Sequence, residues 1–232
     1  MSDPLMLSAT CNLDASEACP AVSCRGRLLS EIEPDTPTAA AVTQFIGRRF
    51  EQAYGARPPL RIPRLLAMTT ASGTLLAAVG IRCAAGEALF LEDYLDAPIE
   101  ACLSGHERAD RARLAEIAHL AGVEAGVSRH LFASLTVWLM AHGFQWATFT
   151  ATEPLFNSLR RMGIALLELA PADPARLADA GQGWGAYYAH GPVVVGVNVE
   201  QAYQTMSRTG KLRGTTWIGQ AQEDESAYVH SA

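Results

Sequence analysis

Glu92, Glu116 and His119 are the side chains of this sequence suited to handling a proton or an amine. Glu92, with Asp93 beside it, ends an apolar run that begins at Leu89. A carboxylate there sits beside the cleft of a sheet, or else on a solvated strand edge. Glu116 lies within 113–121, where Leu114, Glu116, Ala118 and Leu120 alternate with Ala115, Ile117, His119 and Ala121. An unpaired carboxylate in such an apolar strand is costly, so Glu116 requires a partner or a substrate. Either glutamate could deprotonate or electrostatically hold an ammonium group. His119 fits a general base, and equally a histidine satisfied by hydrogen bonds within the sheet.

Directly after that strand comes Ala121-Gly122-Val123-Glu124-Ala125-Gly126-Val127. Gly122 and Gly126 let the backbone approach a phosphate closely. A helix beginning after Ser128 would aim its free N–H groups and positive dipole end at this loop, with Val127 at the turn and Arg129 adding charge. An ordinary strand-to-helix turn capped by Ser128 accounts for the same residues. Trp138, Trp146, Phe149 and Phe156 suit the lining of an apolar pocket, or plain core. Trp184, Tyr187 and Tyr188 fall in a glycine-rich stretch with neither helical nor strand periodicity, so packing explains them less well and they are expected to cover a cleft.

The elements that must position these groups follow from periodicity and caps. A strand is expected over 27–32, then Thr36-Pro37 starts a helix whose Val42, Phe45, Ile46, Phe50 and Ala53 recur at helical spacing until Gly55. Segments 64–69, 74–82 and 88–92, separated by Ala71-Ser72-Gly73 and Ala84-Ala85-Gly86, predict an antiparallel meander. A short helix through Cys102 precedes the strand over 113–121. Leu131, Leu135, Trp138, Leu139 and His142 mark a helix ended by Gly143. A strand over 144–151, a helix from Thr152 to Gly163, and strands over 164–169 and 192–199 complete the domain. The order predicts an α/β (α+β) domain with helices on both faces of a mixed sheet. Residues 1–24 are expected to be a flexible leader, 25–200 the domain, and 201–232 a polar tail.

With 232 residues, 49% of them apolar, the chain can bury a sizeable core, which excludes general disorder. Eighteen Lys and Arg against 24 Asp and Glu, a formal charge of -6, leave no basic footprint for nucleic acid. The apolar runs at 75–81 and 193–199 fall far short of the roughly 20 residues of a membrane span. The first 24 residues carry acids but no Lys or Arg, so a secretory signal is not expected and a cytoplasmic location is. Five cysteines without a Cys-x-x-Cys pair argue against a disulfide framework and against a zinc site; no metal is expected. Nucleophile-elbow, Walker, zinc-protease and dinucleotide-binding motifs are absent.

Several stretches go further: 89–96 (LFLEDYLD), 116–121 (EIAHLA), 148–152 (TFTAT), 157–163 (NSLRRMG), 166–170 (LLELA) and 184–188 (WGAYY). Through them the chain resembles the thermostable haemolysin family, a relative of the acyl-homoserine-lactone synthases with a GNAT-like acyltransferase fold. The resemblance implies a three-layer αβα sandwich and an N-acyltransferase that moves an acyl group from a thioester to the amine of an amino acid or similar small metabolite. It implies no permanently bound cofactor: the donor is acyl-CoA or an acyl group on a phosphopantetheinyl acyl-carrier protein. The coenzyme-A signature of the wider superfamily is only partly present in the 121–127 loop, which keeps the two donors level. In this reading Glu92 and Glu116 handle the amine, with His119 as a base, although the family more often has Asn where His119 stands. Gly122, Gly126, Val127, Ser128 and Arg129 hold the phosphate arm, helped by Thr150 and Asn157. Trp146, Phe149, Phe156, Trp184 and Tyr187 line the substrate pocket. The competing readings are a membrane-lytic factor, as the family's name suggests, and a protein that binds a thioester carrier without catalysis.

Overall fold

Two strands open the structure, a computed structural model that describes residues 12–58, 60, 64–103, 109–123 and 126–219. β1 (Ala18–Cys24) and β2 (Arg27–Ile32) form a hairpin through Arg25-Gly26, both with positive φ (48° and 77°), the conformation that matches strand twist in a two-residue turn. The segment expected to be a leader therefore supplies an integral strand from Ala18 onward. Its sheet partners, not its own composition, order it.

α1 (Pro37–Tyr54) begins where the Thr36 hydroxyl accepts the Ala39 N–H and ends at left-handed Gly55, whose N–H donates to the Glu51 carbonyl. β3 (Arg64–Thr70) and β4 (Leu75–Cys83) form the next hairpin. The expected strand over 88–92 is instead a 3-10 turn, Phe90–Tyr94, followed by the short α2 (Ile99–Cys102). The Glu92 carboxylate accepts the Leu89 N–H at 2.8 Å, which closes the chain into a turn where alternation alone suggests extension.

β5 (Leu114–Gly122) leads to α3 (Val127–Ala141), then β6 (Trp146–Ala151), α4 (Glu153–Arg161), β7 (Leu167–Pro171), β8 (Val193–Asn198), α5 (Val199–Arg208) and β9 (Thr215–Trp217). α5 and β9 correct the expectation of a plain polar tail from residue 201. The strands form one mixed sheet in the order β7-β8-β6-β5-β4-β3-β2-β1-β9, antiparallel except for β5 and β6. β9 lies against β1, with Trp217 opposite Val22 and Thr215 opposite Cys24.

Strand alternation sorts the core onto two faces. Leu66, Met68, Val79 and Ala115 pack against Leu131, Leu135 and Trp138 of α3. Leu65, Ala67, Ala78 and Ala121 pack against Val42, Phe45 and Ile46 of α1. α4 and α5 join α3 through Phe132, Leu159, Ala202 and Met206. Helices thus cover both faces, the expected three-layer sandwich. Among the described residues, no helix is long and apolar enough to cross a membrane.

Candidate active site

The parallel pair β5 and β6 is the origin of the site. Their ladder runs from Leu114 opposite Trp146 to Glu116 opposite Thr148 and stops there, although both strands continue. Beyond that point a cavity of about 440 Å³ opens, lined by residues 117–120 of β5 and by Phe149, Thr150 and Thr152. Backbone groups of β5 that face β6 here are left without a sheet partner among the described residues. On the α3 side the cavity is apolar, walled by Phe132, Leu135, Leu139, Leu155 and Ile164 with the Thr136 hydroxyl among them.

The opposite end is aromatic. Phe50 and Tyr54 come from the last turn of α1, Phe90 and Tyr94 from the 3-10 turn, and Trp184 and Tyr187 from the long β7–β8 connection. Trp184 is buried at 8% exposure, with ring centroids 5.7 Å from Phe50, 5.6 Å from Phe90 and 5.5 Å from Tyr187. The connection is fastened to α1 by the Ala186 N–H donating to the Tyr54 carbonyl at 2.9 Å. Gly185 makes this approach possible: its φ is 56°, and a Cβ there would stand 2.1 Å from that carbonyl oxygen. The Tyr187 hydroxyl donates to Thr150 Oγ1 at 2.7 Å, and the Tyr94 and Tyr188 hydroxyls share a hydrogen bond of 2.6 Å. Burial pushes the Tyr94 and Tyr187 phenols above the usual range, so both stay neutral at physiological pH.

His119 stands at the centre of this end. β5 carries one more residue than β4 between the pairs Ala78–Ala121 and Gly80–Ala118, and His119 takes φ 53° in that bulge. Its ring stacks on Trp184 at 6.0 Å and 14°. Burial, reinforced by the Arg82 charge, lowers its pKa to about 4, so the imidazole is neutral at pH 7. Among the described residues its ring makes no side-chain hydrogen bond, and His119 lines the cavity.

The two glutamates have different surroundings. Glu116 lines the cavity and is 4% exposed; its carboxylate accepts the N–H groups of Phe90 and Leu91, both at 3.0 Å, and pairs with Arg82 at 3.4 Å. Burial pushes its pKa up, against the lowering effects of the Phe90 N–H, Arg82 and the Leu91 N–H. Glu92 does not line the cavity. Its oxygens accept from Leu89 and Ile99 N–H groups and from Arg111 at 2.7 and 2.8 Å, an arrangement that ties the 3-10 turn to α2 and the start of β5. The Arg111 hydrogen bond is the main reason its pKa falls to about 2. Because the folded pKa lies below the unfolded one, Glu92 contributes stability that is complete above about pH 4.5 and is lost as pH falls towards 2. Chemical denaturation between pH 5 and 3 should show a stability loss that Glu92→Gln reduces; an unchanged slope in the variant would reject this role.

The glycine loop is only partly described, since residues 124–125 lie outside the described residues. Gly126, not Ser128, is the N-cap of α3; Ser128 and Arg129 occupy its first turn, and Val127 is buried in the core. The cap has no side chain, so none from that position occupies the first-turn N–H groups. None of Gly122, Gly126, Val127, Ser128 and Arg129 lines the cavity. Of the other expected residues, Phe149, Thr150, Trp184 and Tyr187 do line it. Trp146 is buried with Leu103, Leu114 and Val194 instead, Phe156 carries the Arg160 guanidinium 4.6 Å over its ring, and Asn157 is exposed on α4. Phe50, Tyr54, Phe90 and Tyr94 are additions to the sequence-derived set. The i, i+4 pair of aromatics at the end of α1, beyond its Val42-Phe45-Ile46 stripe, was the available signal for the first two.

Residues 32–203 match the family model described as "Thermostable hemolysin". Among proteins of curated function no match is found. Three solved structures share the fold. FeeM, an N-acyl amino acid synthase from uncultured soil microbes, superposes with a TM-score of 0.56 at 12% identity, covering 79% of this chain and 97% of that one. The AHL synthase LasI gives 0.53 at 12% identity, covering 84% and 97%. TofI, solved in a ternary complex with an inhibitor and MTA, gives 0.51 at 13% identity, covering 77% and 96%. These likenesses bear out the three-layer, GNAT-like architecture with its mixed central sheet.

Proposed function

The chain belongs to the thermostable hemolysin family, and from that premise we propose that it is an N-acyltransferase which moves an acyl group from a thioester to a small-molecule amine. The observation that carries this reading is the cavity between β5 and β6, apolar under α3 and α4 and polar-aromatic at its other end. A thioester donor has the matching parts. Its acyl chain fits the apolar end, and its amide-bearing pantetheine arm fits the stretch of β5 whose backbone groups have no strand opposite, as an added strand does at a sheet edge. In this reading the phosphate of that arm lies outside the cavity, held by Gly122, Gly126 and the first-turn N–H groups of α3 at Val127, Ser128 and Arg129. Either coenzyme A or a carrier protein presents such an arm.

The reaction joins amine nitrogen to thioester carbon and breaks the carbon–sulfur bond. The proton released from nitrogen passes to the neutral imidazole of His119 and from there to the departing thiolate, so no covalent enzyme intermediate is needed. Backbone N–H groups at the β5 bulge serve the developing oxyanion. Glu116 acts as a positioning residue that holds the turn bearing Phe90, Asp93 and Tyr94; Glu92, turned away from the cavity, secures that turn from behind. FeeM and LasI, named as N-acyl amino acid and AHL synthases, lend the reading their chemistry.

The test combines the purified chain with acyl-CoA and acyl-carrier thioesters and a panel of amines, following free thiol and new acyl-amine by mass spectrometry. Both products are expected, in equal amounts. In His119→Asn the rate should drop by roughly 100-fold or more, the usual worth of a general base. Referred to the concentration of neutral amine, the wild-type rate should fall near pH 4, the His119 value, as the imidazole protonates. A variant within threefold of wild type would remove His119 from proton transfer, and a folded protein that consumes no thioester would reject the enzyme reading.

A further inference from the structure

The ionisable groups around the cavity distinguish between classes of amine. Among the described lining residues, the acids are Asp93, Glu116 and Asp179, and the permanent cation is Arg82. Arg82 already faces Glu116 at 3.4 Å and Glu87 at 3.5 Å. His119 is neutral at pH 7. A substrate carboxylate entering from the aromatic end would therefore lose water without gaining an uncommitted counter-charge from the described lining, and would pass two like charges on the way. Asp93 and Asp179 are both exposed while lining the cavity, which puts them at its mouth. Asp93 is held through its backbone and Asp179 through its side chain: Arg176 donates to the Asp93 carbonyl at 3.2 Å, and Asp179 Oδ1 accepts the Gly181 N–H at 3.0 Å.

The rings of Phe90, Trp184, Tyr54 and Tyr187 line the same cavity, and Trp184 stacks on His119. Such faces stack on an aryl group and attract a cation. Carboxylates over low-dielectric walls raise the local concentration of a cation by about 10-fold or more and lower that of an anion.

We propose that the acceptor is an arylalkylamine without a carboxylate, rather than a free α-amino acid. The inference rests on the acyltransferase reading and narrows its substrate. The ring lies among the aromatic walls and the ammonium is drawn in past Asp93 and Asp179. It yields its proton to solvent before attack, since nitrogen must present a lone pair to the thioester carbon.

A matched pair isolates the carboxylate. Phenethylamine and phenylalanine differ in that group alone, and their binding to the full-length protein can be compared by isothermal titration, with acyl transfer to each followed separately by thiol release. The amine is expected to bind at least tenfold more tightly, with the same order in kcat/KM. In the double variant Asp93→Asn, Asp179→Asn, which keeps the Oδ1 acceptor for Gly181, the preference should shrink to within about twofold through weaker amine binding. Equal or tighter binding of phenylalanine to the wild type overturns the inference, whatever is seen in turnover; so does a preference that the double variant leaves intact. The expected binding preference with no thiol released from any thioester would support the ligand class and count against the acyltransferase reading alone.

Discussion

Replacing Glu116 by Ala should destabilise the protein by about 3–5 kcal/mol, the usual cost of removing one partner from a buried charged network. The N–H groups of Phe90 and Leu91 lose their acceptor at once, and the Arg82 guanidinium loses its buried carboxylate partner while keeping Glu87. Urea denaturation measures the change, and a loss below about 1 kcal/mol would show that the 3-10 turn is held by other contacts. Glu116→Gln separates charge from shape. Burial raises the folded pKa of Glu116, so the folded chain binds this proton more tightly than the unfolded chain does. Its contribution to stability therefore falls as pH rises from the unfolded value through the folded one, and the amide should flatten that part of the curve. The same variant should slow acyl transfer, because Phe90 and Tyr94 shift with the turn.

Gly185→Ala is the second change of large expected effect. An L-residue at φ 56° costs roughly 1–2 kcal/mol. The added Cβ, 2.1 Å from the Tyr54 carbonyl oxygen and 2.9 Å from Ala56 Cβ, cannot be accommodated without separating the connection from α1. Overpacking of this kind adds roughly 1–3 kcal/mol. The Ala186 to Tyr54 hydrogen bond lies at the point of separation, and Trp184 is the adjacent residue. We expect a fall in Tm together with greater exposure of Trp184 to an aqueous quencher. A variant with unchanged Tm and unchanged quenching would mean that the connection does not depend on this docking point.

What the sequence revealed depended on how local the cause was. α1 was legible at both ends, since Thr36, Pro37 and Gly55 act within one turn of themselves. The strand carrying Glu116 and His119 was legible from alternation, but its bulge was not, because His119 is a non-glycine residue in a conformation that no neighbour announces. Glu92 and Glu116 looked alike, two acids on apolar runs. Their difference comes from Arg111, which lies 19 residues from Glu92, and from a turn whose N–H groups point at Glu116. β1 and β9 escaped notice for a similar reason. β9 is only three residues long and β1 (ACPAVSC) alternates poorly, and the pairing between them joins segments distant in sequence.

The neighbourhood of those two strands bears on how the molecule is made. Cys24 and Thr215, whose side chains approach to 3.1 Å, are separated by 191 positions. At cellular translation speeds, on the order of ten to forty seconds pass between their emergence from the ribosome. Throughout that interval the outer edge of β1 has no strand to bond with, and such an edge is open to any extended chain nearby. Folding of the central strands can proceed as they appear, whereas closure of this edge waits for β9. The interval is a window of vulnerability during synthesis that ends only when Thr215–Trp217 docks.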